Sequence, residues 1–267
     1  MRGLSGHWTQ KLFVEKPYLY LPFLNARKAA GVKDAKQIAA ILRKRGLRGG
    51  DRVLDLCCGI GRISVPLAKQ RFNVLGVDIS PDFIKRAARY AESKQVSSRT
   101  KFVVGDYRDI ASAIPDDKPL KGIVDTFTSM GYYGKEADRK TFEQLSKRIV
   151  KGGVFVVETI NRDWLLRHFE GRGWQMAANV LVLEDRRYDS ERSYMVNKWT
   201  FYRIVGPHIR HEGAFNVDHR IYSPAELKEL MESTGWRAVS VSSNFAGDAI
   251  DVTSPGSSRM VLVAKRR

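Results

Sequence analysis

Val53-Leu54-Asp55-Leu56-Cys57-Cys58-Gly59-Ile60-Gly61 is the stretch on which the reading of this chain turns. It is a short apolar strand, a tight turn and the start of a helix. The glycines permit unusual backbone angles and let a ligand approach the main chain closely. The first N–H groups of the following helix are free to face that ligand. Asp55 ends the strand, an acid where a pyrophosphate would be repelled. The next strand, Asn73–Val77, runs into Asp78, 17 residues after Gly61. An acid there is placed to hydrogen-bond ribose hydroxyls. A dinucleotide site calls for Gly-x-Gly-x-x-Gly, and the third position here is Ser64. Gly59, Gly61 and Asp78 alone keep an NAD-dependent oxidoreductase open as an alternative.

Outward from this unit, helices and strands alternate. Arg62–Arg71 reads as a helix, and so does Pro81–Ser93, with Ser80 as N-cap and Pro81 at its first position. Lys101–Val104 and Ile123–Phe127 are strands, Arg139–Val150 is a helix, and Val154–Thr159 is a buried strand. Such alternation predicts a parallel sheet wound by right-handed crossovers. The pattern then changes. Trp174–Leu183, Arg186–Val205 and Ala214–Tyr222 read as antiparallel strands. Ser223 caps a helix over Ala225–Thr234, and strands near Trp236–Ser243 and Arg259–Ala264 follow. Ahead of everything, residues 32–46 form an amphipathic helix through Ile38, Ile41 and Leu42, its other faces filled by Lys33, Lys36, Arg43, Lys44 and Arg45.

Three motifs at strand ends now stand in order: Asp55 to Gly61, Val77-Asp78 with Ile79 behind it, and Gly105-Asp106-Tyr107. With Asp125-Thr126-Phe127-Thr128-Ser129 after the fourth strand, they resemble the class I S-adenosylmethionine-dependent methyltransferases over residues 50–160. The resemblance implies an α/β fold: a Rossmann-like, mostly parallel seven-stranded sheet with helices on both faces, plus an antiparallel β-rich insert before the last helix. It implies S-adenosyl-L-methionine as cofactor and S-adenosyl-L-homocysteine as product. Asp55, Cys57, Gly59 and Gly61 would form the cofactor loop, Asp78 and Ile79 would hold the ribose, and Asp106 and Tyr107 the adenine. Thr126 and Phe127 would lie near the methyl. Cys57 stands where the family has its first glycine. A weaker likeness at both ends, through Lys16-Pro17-Tyr18-Leu19-Tyr20 and the insert, points to a subgroup that includes small-molecule N-methyltransferases. Tyr18 and Tyr20 would then fold over the cofactor.

The totals bound the rest. A chain of 267 residues suits one large α/β unit with a decorated edge. The expected division is an N-terminal strap and basic helix (1–50), a cofactor core (51–168), a β-rich lid (169–222) and completion of the core sheet (223–267). No apolar run approaches the roughly 18–20 residues of a membrane span. Met1–Val14 lacks the apolar core of a secretory signal, and the only cysteines are Cys57 and Cys58. A cytoplasmic protein without a membrane partner is expected, with its oligomeric state open. The formal charge is +17, and residues 1–50 carry eleven Lys/Arg against two acids, a local +9. That excess fits either a solvated basic surface or an acidic partner such as RNA.

Methyl transfer is a displacement that needs alignment more than acid–base groups. The chain lacks the Asn/Asp-Pro-Pro-aromatic segment of adenine-N6 enzymes after its fourth strand. It has no cysteine placed for pyrimidine-C5 chemistry, and Val157-Glu158-Thr159 offers no late lysine for ribose methylation. Candidate catalytic residues are Tyr132, Tyr133 and His219. His168, His208 and His211 show no metal-ligand spacing with His219, so no metal is expected. Arg162 and Arg220 are candidate acceptor contacts. The leading reading is a methyltransferase acting on N or O of a small molecule. The alternatives are an RNA or other macromolecule methyltransferase recruited by the basic helix, a cofactor-binding protein without turnover, and the oxidoreductase.

Overall fold

Strands β1 (Arg52–Leu56), β2 (Asn73–Asp78), β3 (Thr100–Val104), β4 (Leu120–Asp125) and β5 (Ile149–Ile160) are mutually parallel in the computed structural model, which describes residues 6–115 and 118–267. Five further strands, β6 (Arg172–Ala177), β7 (Val180–Asp189), β8 (Tyr194–Val205), β9 (His208–Asn216) and β10 (His219–Arg220), build a second sheet, and β11 (Trp236–Ser242) and β12 (Arg259–Arg266) return to the first. The first sheet has the order β11-β12-β5-β4-β1-β2-β3, with β12 antiparallel to both neighbours. Strand order reverses between β1 and β4, and open α/β sheets bind ligands outside the carboxyl ends at such a point.

The strands are apolar on both faces because helices cover both. The helices are α1 (Pro17–Ala26), α2 (Lys28–Lys44), α3 (Ser64–Lys69), α4 (Pro81–Ser93), α5 (Ile110–Ala113), α6 (Lys135–Arg148), α7 (Arg162–Arg167) and α8 (Pro224–Glu232). Leu54, Leu75, Ile123 and Phe155 pack with Ile110 of α5, Phe142 and Leu145 of α6 and Leu227 of α8. Their strand neighbours Val53, Val74, Val124 and Val156 point the other way, to Ile38 and Leu42 of α2 and Val65 and Leu67 of α3. This alternation is the period-two geometry of a strand. Among the described residues no helix is long and apolar enough to cross a membrane.

Several element limits differ from expectation. The Tyr18–Tyr20 strap is helical: a π-helical turn over Gln10–Glu15 leads into α1, which begins at Pro17. The basic helix begins at Lys28 rather than 32, because Lys28 to Gly31 continue it without a break. Trp174–Leu183 and Arg186–Val205 are each cut by a turn. The turns use Ala178 and Ser193 in the left-handed region (φ 50 and 54), where no glycine marks them. The cap at Ser80 forms as expected, its hydroxyl accepting from Phe83 N–H at 3.3 Å. Ser223 and Glu226 make a reciprocal capping box at α8.

The N-terminal segment joins the two sheets. Trp8, Leu12, Leu19 and Phe23 share an apolar cluster with Val180, Val182, Phe201, Phe215 and Val217 of the second sheet and its margin. Leu24, on the same helix as Leu19, packs instead on Ile60 of the glycine turn and Phe83 of α4. A buried carboxylate organises the opposite side. Asp138, fully buried in α6, accepts the Tyr107 hydroxyl (2.9 Å), the Tyr222 hydroxyl (2.5 Å) and the Gly131 N–H (3.2 Å). Removing it strands three buried donors, each worth about 1–3 kcal/mol when unpaired, with partial relief by water. Asp138→Ala is therefore expected to lower stability by about 3 kcal/mol in urea unfolding, and Asp138→Asn, which keeps an acceptor, by less than half of that. Equal losses would show that the hub acts through packing alone.

Candidate functional site

The turn after β1 lies at the strand-order reversal and shapes the site. Cys57 adopts φ 55, Gly59 φ 52 and Gly61 φ 77, all left-handed. At Cys57 this is a conformation that a side chain rarely takes and that glycine takes freely, which accounts for the family's preference at that position. A Cβ on Gly61 would meet the Ala87 Cβ at 3.2 Å and Val65 Cγ2 at 3.3 Å, so Gly61 lets the turn sit against α4. Gly59 donates its N–H to Asp78 Oδ2 (2.8 Å), and Ser80 N–H donates to Asp78 Oδ1 (2.9 Å). Asp78 thus clamps the glycine turn to the start of α4 while its oxygens keep lone pairs for a ligand.

Around this turn lies a cavity whose empty space, counted out through its open mouth, is about 880 Å³. Its lining includes Asp55, Cys57, Cys58, Gly59, Asp78, Ile79, Asp106, Tyr107, Thr126 and Phe127. Tyr20, Tyr132 and Tyr133 line it too. The sequence-predicted cofactor residues are therefore brought together, with two exceptions. Gly61 packs behind the turn, and Tyr18 is exposed, its ring 5.5 Å from the Arg203 guanidinium. Asp55 is buried and accepts the Ser64 hydroxyl. Asp106 is held by the Arg108 guanidinium, whose Nη2 donates at 2.7 Å, and that guanidinium lies 4.0 Å from the Tyr133 ring centroid. Tyr107 turns its hydroxyl to Asp138 and only its body to the cavity.

The candidate catalytic and acceptor residues separate. The Tyr133 hydroxyl shares a 2.6 Å hydrogen bond with Thr9 Oγ1, and its ring stacks on His7. Tyr132 meets Trp8 edge-on at 4.6 Å. His219 lies behind Tyr132, outside the cavity lining, and burial pushes its imidazole down to about 4, so it is neutral at physiological pH. Arg162 and Arg220 are also outside the lining and share one carboxylate: Arg162 donates to Glu226 Oε2 (2.5 Å) and Arg220 to Glu226 Oε1 (2.9 Å). They brace the start of α8.

Sequence reasoning missed Thr9, Phe13, Arg62, Phe83 and Ser129, all in the lining. Arg62 had a signal, since it directly follows Gly61. Its guanidinium pairs with Asp34 at 2.8 Å and reaches Thr126 Oγ1 at 3.4 Å. Thr9 and Phe13 had none, because only the packing of the N-terminal segment brings them here. Phe127 and Thr128 are consecutive left-handed residues, φ 69 and 65, held by a Phe127 N–H bond to Glu158 Oε2 at 2.7 Å. Strain of this kind clusters at ligand sites.

Burial pushes the Asp55 carboxyl up to about 7 and the Asp78 carboxyl up to about 6. Both lie above the ordinary 3.8, so the folded chain binds more protons than the unfolded one. These two acids therefore favour folding at low pH, and that contribution is lost as pH rises from about 4 through 7. A cationic ligand favours their ionised forms. S-adenosylmethionine binding near pH 6.5 is expected to release protons, by calorimetry in two buffers of different ionisation enthalpy, and less so in Asp55→Asn. Proton uptake would remove the acids from the ligand's side. Asp78→Asn is expected to weaken that binding by roughly tenfold or more.

Comparison with known proteins agrees with this geometry. A family model described as a methyltransferase domain matches residues 47–231. A protein of Geobacillus sp. (strain WCH70), named as an inferred methyltransferase, is 23% identical over 98% of both chains. The CcbJ methyltransferase of Streptomyces caelestis has a similar fold, with a TM-score of 0.72, 22% identity and coverage of 88% of this chain and 89% of its own. The sugar N-methyltransferase KedS8 of Streptoalloteichus sp ATCC 53650 is similar at a TM-score of 0.68, with 16% identity and 93% and 92% coverage. With the glycine turn, Asp78 and Asp106 lining one cavity at the carboxyl edge of a seven-stranded sheet, the chain belongs to the class I S-adenosylmethionine-dependent methyltransferases.

Proposed function

We propose that this methyltransferase moves the methyl group to a small-molecule acceptor, at nitrogen in preference to oxygen. The observation that carries the reading is the shape of the cavity. Its lining joins the donor motifs to aromatic residues from three distant segments: Phe13 and Tyr20, Phe127, and Tyr132 with Tyr133. A cavity walled in this way suits a donor and a compact acceptor rather than a duplex. Similar proteins lend support, since the fold neighbour KedS8 is named a sugar N-methyltransferase and another neighbour, from Micromonospora echinaspora, an amino pentose methyltransferase.

In this reading Asp78 holds the donor's ribose hydroxyls and Asp106 its adenine amino group. Asp55 and the turn face its ammonium, and Arg62 stands where its carboxylate would lie. Bound S-adenosylmethionine supplies a methyl already activated on a sulfonium. The rings of Tyr20 and Phe127 suit such a cation and keep water from it. The second sheet and the N-terminal segment then hold the acceptor in line.

Nitrogen is preferred because, with the carboxylates of the lining given to the donor, its remaining side chains offer no ready base. Burial raises the Tyr20 and Tyr133 phenols to about 12, and His219 is turned away. A neutral amine can attack unaided and lose its proton afterwards, whereas a hydroxyl usually needs a base. A second reading, RNA methylation, draws on the exposed Lys33, Lys36, Arg43 and Lys44 of α2. Incubation with methyl-labelled donor and separate small-amine and RNA fractions tests both. Label is expected in the amine fraction, persisting after Lys33, Lys36, Arg43 and Lys44 are changed together to Glu. Label confined to RNA and lost in that variant would replace the small-molecule reading.

A further inference from the structure

We propose that the acceptor carries a carboxylate, held by Arg27 and Arg259 beside Phe127, a residue of the cavity lining. The inference rests on the donor and acceptor reading of that cavity and names the acceptor's class. Three guanidinium carbons surround the Phe127 ring: Arg27 at 4.5 Å, Arg62 at 5.4 Å and Arg259 at 5.6 Å from its centroid. Two carboxylates answer them. Asp34 takes Arg62 at 2.8 Å, and Glu158 takes the Arg259 Nε while its other oxygen accepts the Phe127 N–H. Among the described residues no carboxylate lies within 4 Å of Arg27, and Arg259 Nη2 is buried with no hydrogen-bond partner. Gathering three like charges round one ring, with one buried donor unpaired, costs free energy unless an anion completes the group.

The donor does not supply that anion. S-adenosylmethionine carries a sulfonium, an ammonium and one carboxylate, a net single positive charge, so it adds to the local excess. Its carboxylate falls to Arg62, the one arginine of the three that lines the cavity. Arg27 follows Leu24 by one turn of α1, is exposed, and stacks on the lining residue Phe127, so it stands beside the lining. With Asp34 and the donor's carboxylate on Arg62 and Glu158 on Arg259, Arg27 is left, among the described residues, as the one guanidinium of the three without a carboxylate, which calls for a singly charged acid. The planar guanidinium also matches a carboxylate in shape. The Tyr20 hydroxyl lies in the field of all three arginines, so an acid bound there would bring the rest of the acceptor to the aromatic lining.

The test uses the full chain saturated with S-adenosylhomocysteine, with acetate and inorganic phosphate as probes, followed through the arginine Nε–H resonances. Acetate is expected to shift Arg27 and Arg259 saturably and to bind more tightly than phosphate. Arg27→Met should weaken acetate by roughly tenfold or more and leave S-adenosylhomocysteine affinity within about twofold. Arg259→Lys, which keeps a charge for Glu158 but loses the planar fork, should weaken acetate similarly and serves if removal of the charge prevents folding. The proposal is overturned by an absence of saturable shifts or by a preference for phosphate. It is equally overturned if both variants lose affinity for S-adenosylhomocysteine but not for 5′-methylthioadenosine, which lacks the amino acid; the arginines would then serve the donor. Failure of the wild-type chain to bind S-adenosylhomocysteine would instead sink the donor reading itself.

Discussion

The buried carboxylate of Asp138 is the constraint on which the carboxyl edge of the sheet depends. It belongs to α6, yet its three donors come from the loop after β3, the loop after β4 and the residue before the α8 cap. Two of these segments carry residues of the cavity lining, and the third sets the start of α8. Tyr107 sits beside Asp106, Gly131 precedes Tyr132 and Tyr133, and Tyr222 precedes Ser223, whose capping box holds Glu226 for Arg162 and Arg220. A buried acid with three donors is stable only in one arrangement of those loops. Burial still pushes its carboxyl up to about 6, so the hydrogen bonds offset the desolvation incompletely.

The second constraint is apolar. The N-terminal segment packs on the second sheet through Trp8, Leu12, Leu19 and Phe23 and on the glycine turn through Leu24. The cavity is therefore closed by a piece of chain that the core sheet does not need for its own pairing. Thr9 and His7 reach Tyr133 from that piece, and Tyr20 reaches the neighbourhood of Phe127. The cavity wall thus draws on two packing surfaces, the core sheet and the second sheet. The charges follow the same division, with carboxylates at the ends of β1 and β2 and guanidiniums around Phe127 on the side of α1 and β12.

Much of the donor half was legible because its signals are local. Asp55, Gly59, Asp78 and Asp106 each sit at the end of an apolar strand, and the parallel order brings strand ends together without further information. The rest of the cavity lining was less legible. Tyr132 and Tyr133 were visible as rings after β4, but Thr9, Phe13 and Phe83 follow no motif. Arg162, Arg220 and His219 read as free chemistry in a sequence, whereas the fold gives the first two to Glu226 and buries the third behind Tyr132. A sequence lists polar side chains without showing which of them are already paired.

By itself, then, the sequence determined the sheet, the glycine turn and the donor motifs, because strand periodicity, turn chemistry and short spacings act over a few residues. Only the tertiary structure decided that the N-terminal aromatic segment is helical and closes the cavity. It also decided that Phe127 stands among three arginines drawn from α2's approach, the glycine turn and β12. The three contacts to Phe127 join residues 65, 100 and 132 positions apart, and their free energy comes from packing and charge in three dimensions, which no local pattern encodes.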